Sequence, residues 1–286
     1  AGIRLWERGL LNAALHNVQL AQPLTKAAKQ NMTQTEFEQA RYNLLYIRSA
    51  LAHNKGEWDD AIKHLKTQWR YAKRLGDWSR IAQTQLDMGD VLIRLGDFEK
   101  GQEKITTVLL EGKERHNIPF QVEAYHHLCA LAWMKGDVDK VEHLANKGLS
   151  LLNSTTISLP RAKILLSMGA AMANKGQLSL ACEQMKEAAD ILENLTRKEL
   201  RSIVLCNLSE VLLWRGLWEE ALEHAKTASQ LSEESLHKSG QAQAYLILAM
   251  AELEMGFYSK ANQYAKRANL LAYTLLAPDL MSVANY

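Results

Sequence analysis

The chain has 286 residues, of which 47% are hydrophobic and 23% are charged, and its formal net charge at pH 7 is +2. So small a charge gives no strong attraction to nucleic acid or to an acidic membrane surface, and no apolar run reaches the roughly 20 residues of a membrane span. We therefore expect neither nucleic acid nor membrane as a partner. Cys129, Cys182 and Cys206 lack the spacing of a disulfide or metal site, which favours reduced thiols. Residues 1–22 do not resemble a signal peptide, so we expect a cytoplasmic location.

Glycine recurs six times at a spacing of 40 residues, at Gly56, Gly96, Gly136, Gly176, Gly216 and Gly256. Two positions after each glycine stands an apolar residue, and five positions after it stands a small residue or valine. Seven positions before each glycine is another compact side chain. A fixed period of this length indicates stacked supersecondary units.

The spacing of apolar residues predicts what each unit contains. Before Gly96, the side chains of Met88, Val91, Leu92 and Leu95 follow the pattern i, i+3, i+4, i+7 of one helix face. The stretch after the glycine has the same period. Each unit is therefore predicted to be a helix A, a tight glycine turn and a helix B.

Several polar residues stand where the helices are predicted to begin. Asp97 and Glu57 directly follow a turn glycine, where a carboxylate can accept the free amide hydrogens of helix B. Asn117 and Ser158 each stand two residues before a proline, which the first turn of a helix tolerates. These residues are predicted to cap their helices.

The two ends depart from the pattern. Residues 1–35 are predicted to form a degenerate repeat or cap, in which His16 replaces the turn glycine, and residues 36–273 form the six clear repeats. Residues 274–286 are predicted to start a further helix. With no linker, 1–286 is predicted to be a single solenoid domain. Because the sequence lacks an initiating methionine, we expect it to be part of a longer protein.

The repeat resembles the tetratricopeptide repeat (TPR), most clearly at Tyr245, Leu248, Ala249, Gly256, Ala261, Ala265 and Ala268. The resemblance implies an all-α fold, a right-handed α-solenoid of helix-turn-helix repeats in which the A helices line a concave groove. A period of 40 is longer than the family's usual period of about 34 residues. Repeats of this length are similar to those in the sensor domain of the bacterial maltose regulator, in related signal-transducing ATPases and in Partner-of-Inscuteable-type adaptors.

The resemblance also implies which side chains face the groove, at fixed offsets before each turn glycine. The candidate contact residues are Asn43, Tyr46, His53, Asn54, Leu86, Arg94, His126, Trp133, Leu166, Asn174, Glu210, Trp214 and Leu246. Trp133 and Trp214 would be the main anchors for a partner, because tryptophan often carries binding energy. The alternative is that the longer helices hold these side chains between repeats, and the sequence leaves both interpretations open.

The sequence offers no catalytic motif. It contains no glycine-rich phosphate loop, no nucleophile elbow and no His-Glu-x-x-His zinc motif. His126 and His127 are adjacent on a helix, so their side chains point about 100 degrees apart and do not easily bind one metal ion. We therefore expect no enzyme activity, no cofactor and no metal.

Two functions fit these features. The first is a non-enzymatic scaffold that binds a protein or peptide segment in the groove. The alternative is a ligand- or inducer-sensing regulatory domain of a signal-transducing ATPase or transcription regulator. Self-association through the ends of the solenoid is a further expectation, because terminal repeats normally need polar caps.

Overall fold

The computed structural model describes residues 32–54, 56–153, 157–235 and 237–275. Most of the predicted degenerate repeat (1–35) and of the predicted further helix (274–286) lies outside these residues. The described part is all-α, with no strand. Its helices are α1 (Gln34–Asn54), α2 (Trp58–Leu75), α3 (Trp78–Arg94), α4 (Phe98–Glu114), α5 (Ile118–Met134), α6 (Val138–Leu149), α7 (Leu159–Asn174), α8 (Leu178–Asn194), α9 (Lys198–Trp214), α10 (Trp218–Glu234), α11 (Lys238–Glu254) and α12 (Tyr258–Leu275).

Odd-numbered helices are the predicted A helices and even-numbered helices are the predicted B helices, so repeats 1 to 6 are the pairs α1–α2 to α11–α12. Each of the six turn glycines has a φ between 72° and 84°, a conformation that glycine adopts without steric cost. At Gly96 the turn closes through a hydrogen bond from the amide of Asp97 to the carbonyl of Leu92, with a length of 2.9 Å. This is the usual way in which a helix ends at a glycine.

The helix starts follow the predicted caps in most cases. The side chains of Asp97, Asn117 and Ser158 accept hydrogen bonds from the backbone amides three residues later, as predicted. Glu57 makes no such hydrogen bond, so its predicted capping role is wrong. Its side chain has one methylene more than that of aspartate and does not belong to the short polar residues preferred at this position.

The helices group into two compact units, each described here by itself. The first unit contains α1 to α5 and Asn146–Leu152, and the second contains Val138–Ala145 and α7 to α12. In both units each helix packs on the next one along the chain. The first unit buries Leu65 and Ile105, and the second buries Met185 and Leu208. That all repeats form one domain stays a prediction.

Small residues let helices A and B of repeat 2 approach closely, as the sequence predicts. A Cβ atom added at Gly89 would lie 2.6 Å from Cγ1 of Ile105, and one added at Gly101 would lie 2.9 Å from the carbonyl oxygen of Gly89. Both distances are far below an ordinary carbon contact. The compact side chains seven before and five after the turn glycine are therefore required by this close approach.

The three cysteines are reduced and buried. Burial raises the pKa of the Cys129 and Cys206 thiols to about 12, with a smaller contribution from the Glu210 charge at Cys206. The thiolate is the reactive form, so these side chains serve as packing residues. None of the helices in the described ranges is both long enough and apolar enough to cross a membrane.

Candidate functional site

The predicted contact residues lie on the A helices and differ in exposure. Trp133 and Trp214 expose 42% and 53% of their surface. Arg94 and Asn174 are also exposed, while the partly buried residues are Asn43, Tyr46, His53, His126, Leu166, Glu210 and Leu246. The side chain of Asn54 lies outside the part of the chain that the structure describes.

Leu86 requires a correction to the predicted set. Its side chain is fully buried, with 0% exposed, and it therefore offers no surface to a partner. The equivalent position in repeat 5, Cys206, is also fully buried, and its sulfur lies 3.9 Å from the carbonyl oxygen of Gly240 on α11. This position of helix A is therefore fully buried in repeats 2 and 5, whereas the equivalent residues of the other repeats are only partly buried.

In the first unit, the structure brings His53 and Arg94 together on the carboxylate of Asp90. Nε2 of His53 on α1 lies 2.7 Å from Oδ2 of Asp90 on α3. Nε of Arg94 donates to the same oxygen over 3.1 Å. The two predicted groove residues therefore hold a third side chain that the predicted set does not contain.

Trp58, at the start of α2, completes this cluster. The guanidinium of Arg94 lies over the indole ring of Trp58, 5.1 Å from its centroid. The ring of His53 meets the same indole edge to face, with centroids 5.1 Å apart. Such cation–π and aromatic contacts each add a modest stabilisation beyond area burial, so the cluster links two A helices to a B helix.

The charge of Asp90 is held by these neighbours. Burial opposes ionisation, but the hydrogen bond from His53 and the charges of His127 and Arg94 hold the pKa of Asp90 well below its usual 3.8. The carboxylate is mostly buried, and a buried charge requires partners of this kind. In the first unit, the charge of Asp90 on the A-helix face is therefore paired with side chains of the protein itself.

In the second unit, Glu210 and Trp214 lie four residues apart on α9, so their side chains share one face of that helix. Glu210 is partly buried, and burial raises its pKa above the usual 4.5. Within the residues described, its carboxylate accepts no hydrogen bond and forms no ion pair. Trp214 stands at the last position of the helix with about half of its surface exposed.

Exposed apolar side chains continue this face on the next A helix. Met250 and Leu253 on α11 expose 39% and 51% of their surface, and α9 and α11 contact each other. Leu253 occupies the position that Leu213 has one repeat earlier. The A-helix face of the second unit therefore offers an apolar surface beside a carboxylate without a partner.

Of the residues on these two faces, sequence reasoning missed Trp58. Asp90, Met250 and Leu253 stand at groove-facing offsets before their turn glycines but were not chosen as candidate contacts. Asp90 precedes Arg94 by four residues, the usual spacing of a helical ion pair, so this half of the cluster had a signal in the sequence. Met250 and Leu253 had a signal in their offsets of six and three residues before Gly256, whereas the contacts of Trp58 had none.

These helix pairs and glycine turns define a TPR-like repeat fold, which confirms the predicted all-α solenoid class. The sequence matches no protein-family model and none of the curated proteins. Solved structures give the comparison instead. At 14% identity, the chain is similar to the signal transduction ATPase with numerous domains (STAND) that has a tetratricopeptide repeat sensor, from Pyrococcus horikoshii, with a TM-score of 0.67 over 97% of this chain and 42% of that one.

Two further solved structures share the fold. BtubC from P. vanneervenii is 16% identical, with a TM-score of 0.63 over 80% of this chain and 93% of its own. The Rap conjugation gene regulator of the plasmid pLS20, solved in complex with the Phr* peptide, is 14% identical, with a TM-score of 0.63 over 90% of this chain and 76% of its own. At these identities the likeness shows the fold.

Proposed function

We propose that the chain is a non-enzymatic repeat scaffold that binds a protein or peptide segment on the exposed faces of its A helices. The observation that carries the proposal is the surface of the second unit, where Trp214, Met250 and Leu253 are exposed beside Glu210. Exposed apolar side chains grouped with a few polar ones are typical of a surface that takes a partner. The proposed setting is cytoplasmic, which buried, reduced cysteines fit.

The proposed contact residues differ between the units. They are Asn43, Tyr46, His126 and Trp133 in the first unit and Leu166, Asn174, Glu210, Trp214 and Leu246 in the second. His53 and Arg94 are proposed to hold the side chain of Asp90 in place rather than to contact the partner directly. Asn174 is exposed at the end of α7 and forms no side-chain hydrogen bond with another described residue, so its amide is available to a peptide backbone.

Two solved structures with a similar fold support this proposal. The pLS20 Rap regulator was solved with a peptide, and another Rap protein was solved with the competence and sporulation factor. A second candidate function is a sensor domain in a larger regulator. It is favoured by the STAND protein, whose structure matches nearly all of this chain with less than half of its own.

A selection from short random peptides tests the scaffold proposal. The wild-type chain is expected to enrich a set of related peptides, and Trp214→Ala is expected to lose most of their affinity. Tyr258→Ala is the matched control, because Tyr258 is an exposed aromatic residue of the same unit at the start of a B helix. If no peptide is enriched, or both variants bind as the wild type does, the A-helix face of the second unit is not the binding surface.

Self-association through the repeat ends is part of the proposal, and it also separates the two candidates. Leu270 and Tyr273 of α12 expose 68% and 56% of their surface, which a second copy of the chain would cover. Light scattering after size exclusion should show a mass that grows with concentration. A mass that changes only when a selected peptide is added would favour the sensor over the scaffold.

A further inference from the structure

Asp90 and Glu210 occupy the same position in repeats 2 and 5, six residues before the turn glycine, and are separated by three periods of the repeat. Each lies on helix A and is shielded from water to a substantial degree. They differ in their neighbours, since Asp90 has two hydrogen-bond donors and Glu210 has none among the described residues. The contacts of Asp90 therefore show which kind of group an acid at this position can bind.

At Asp90 the bound group is a guanidinium, held between the carboxylate of repeat 2 and an indole of repeat 1. Arg94 donates to Asp90 over 3.1 Å and at the same time lies over the ring of Trp58, 5.1 Å from its centroid. A guanidinium suits this place because it is planar, donates in a fixed plane and stacks on aromatic faces. The cation, the acid and the ring all belong to the chain itself.

In repeat 5 the acid is present but the cation is absent, and the indole stands at the position of the cation, since Leu178 occupies the position equivalent to Trp58. Trp214 stands at the position of Arg94, and Ala173 stands at the position that His53 has in the preceding repeat. Ala173 has no side-chain donor. Arg215, the next residue after Trp214, forms no ion pair with Glu210 within 4.0 Å. The arginine and histidine that donate to Asp90 are therefore replaced by a tryptophan and an alanine, and neither forms a hydrogen bond with Glu210 among the described residues.

The neighbourhood of Glu210 favours a cation from outside. A carboxylate that is partly removed from water and has no partner loses hydration without compensation. A positive group that reaches it would restore a charge-assisted hydrogen bond, which is among the stronger kinds. The exposed indole of Trp214 on the same helix face adds a surface on which a cation can lie.

We propose that Glu210 and Trp214 bind the guanidinium of an arginine side chain in the partner peptide, while Met250 and Leu253 contact apolar residues beside that arginine. The proposal rests on the proposed function, since it names the chemistry of the peptide that the second unit binds. Arginine is favoured over lysine because it both pairs with a carboxylate in a plane and stacks on an indole, whereas an ammonium is a strongly hydrated point charge.

The test starts from the peptides selected on the wild-type chain and replaces arginine by citrulline, a neutral side chain of nearly the same shape. Binding of the selected peptide and its citrulline form is measured by calorimetry on the wild type, Glu210→Gln and Glu219→Gln. Glu219 is the control, because it is an exposed acid at the start of α10 that forms no ion pair with a described residue. Circular dichroism shows that the variants are equally folded.

We expect arginine next to apolar residues in the selected peptides. Citrulline should weaken binding to the wild type and to Glu219→Gln about tenfold. Glu210→Gln should lose a similar factor with the arginine peptide and lose little more with citrulline, because the two changes remove the same interaction. Trp214→Leu should also weaken the arginine peptide more than the citrulline form.

The outcomes separate this inference from the proposed function. Selected peptides without arginine, or an arginine peptide that Glu210→Gln binds within twofold of the wild type, would overturn the inference and leave the scaffold standing. A selection that enriches no peptide would overturn both. Equal losses with Glu210→Gln and Glu219→Gln would reduce the effect to general attraction between opposite charges and would also overturn the inference.

Discussion

Repeats 2 and 5 carry an acid at the same point of helix A and use it differently. In the first unit Asp90 accepts hydrogen bonds from His53 and Arg94, and its charge links neighbouring helices. In the second unit Glu210 has no such partner among the described residues, and burial raises its pKa. One position of the repeat can thus serve stability in one unit and remain open to a partner in another.

Two nearby positions account for this difference. The place of Arg94 is taken by Trp214, and the place of His53 is taken by Ala173. The two changes replace the side chains that donate to Asp90 without changing the backbone, because the turns that follow have glycines with similar φ values in every repeat. A repeat fold separates the framework, which is fixed by the period, from the side chains on the A-helix face.

The largest expected effect comes from removing the satisfied acid. Asp90→Asn keeps the size of the side chain but leaves His53 and Arg94 without a charged acceptor. The free energy of unfolding should fall by about 2 kcal/mol, as is typical for a hydrogen bond to a buried charge. Urea denaturation followed by circular dichroism measures it, and Glu210→Gln is the control in the other unit. Equal losses in the two variants would contradict the comparison.

The sequence predicts the helices and turns better than it predicts the exposed surface of the A helices. The period of 40 predicts the helix pairs, their turns and the small seam residues such as Gly89, because these depend on local conformation and on close backbone approach. The position of a residue on helix A can also be predicted. Whether its side chain is covered cannot, since that depends on the size of its neighbours in the next repeat.

Leu86 and Trp214 illustrate this limit. Both were predicted from fixed offsets to face a partner, but the first is fully buried and the second is mostly exposed. The contact between His53 and Asp90 joins residues 37 positions apart, in consecutive repeats. The period brings these positions together, but only the packed structure shows that one acid receives two donors.

The contact between helices A and B within each repeat, here called the seam, offers a second contrast between repeats 2 and 5. Gly89 and Ser209 both stand seven residues before their turn glycine. A Cβ at Gly89 would lie 2.6 Å from Ile105 and 3.1 Å from the carbonyl oxygen of Gly101, so Gly89→Ala should destabilise the chain by about 1–2 kcal/mol despite the better helix propensity of alanine.

Ser209→Ala provides the control for the seam, because serine already has a Cβ and its buried hydroxyl donates only to the carbonyl of Leu205, four residues earlier in its own helix. We expect a change in unfolding free energy of less than about 0.5 kcal/mol. Thermal denaturation of both variants compares the two seams directly. A stabilised Gly89→Ala variant would show that repeat 2 has room for a methyl group.

The two acids should also give opposite pH dependences. Asp90 has a lowered pKa in the folded chain, so its contribution to stability is present above pH 3.8 and decreases as the pH falls below that value. Glu210 has a raised pKa, so the folded chain binds its proton more tightly and loses stability as the pH rises through 4.5 and above.

Unfolding free energies measured from pH 3 to pH 7 test these signs. The deficit of Asp90→Asn should shrink toward acid pH, where the wild type begins to lose the same charge. Glu210→Gln should match the wild type in acid and become more stable by about 0.5 kcal/mol near neutral pH, because partial exposure leaves much of the charge hydrated. The same sign for both variants would refute the assignment of a satisfied and an unsatisfied acid.

The smallest expected effect concerns the turns that lead into the two repeats. Gly76 precedes repeat 2 with a φ of 65°, and Thr196 precedes repeat 5 with a φ of 53°. A β-branched side chain is strained in this left-handed region. Thr196→Gly should therefore stabilise the chain by about 0.5 kcal/mol, since relief of strain exceeds the added entropy of the unfolded chain. Gly76→Thr should destabilise the chain. Thermal denaturation of the two variants measures both changes in stability. If both changes have the same sign, the packing around each turn, rather than its backbone conformation, determines which residue is preferred there.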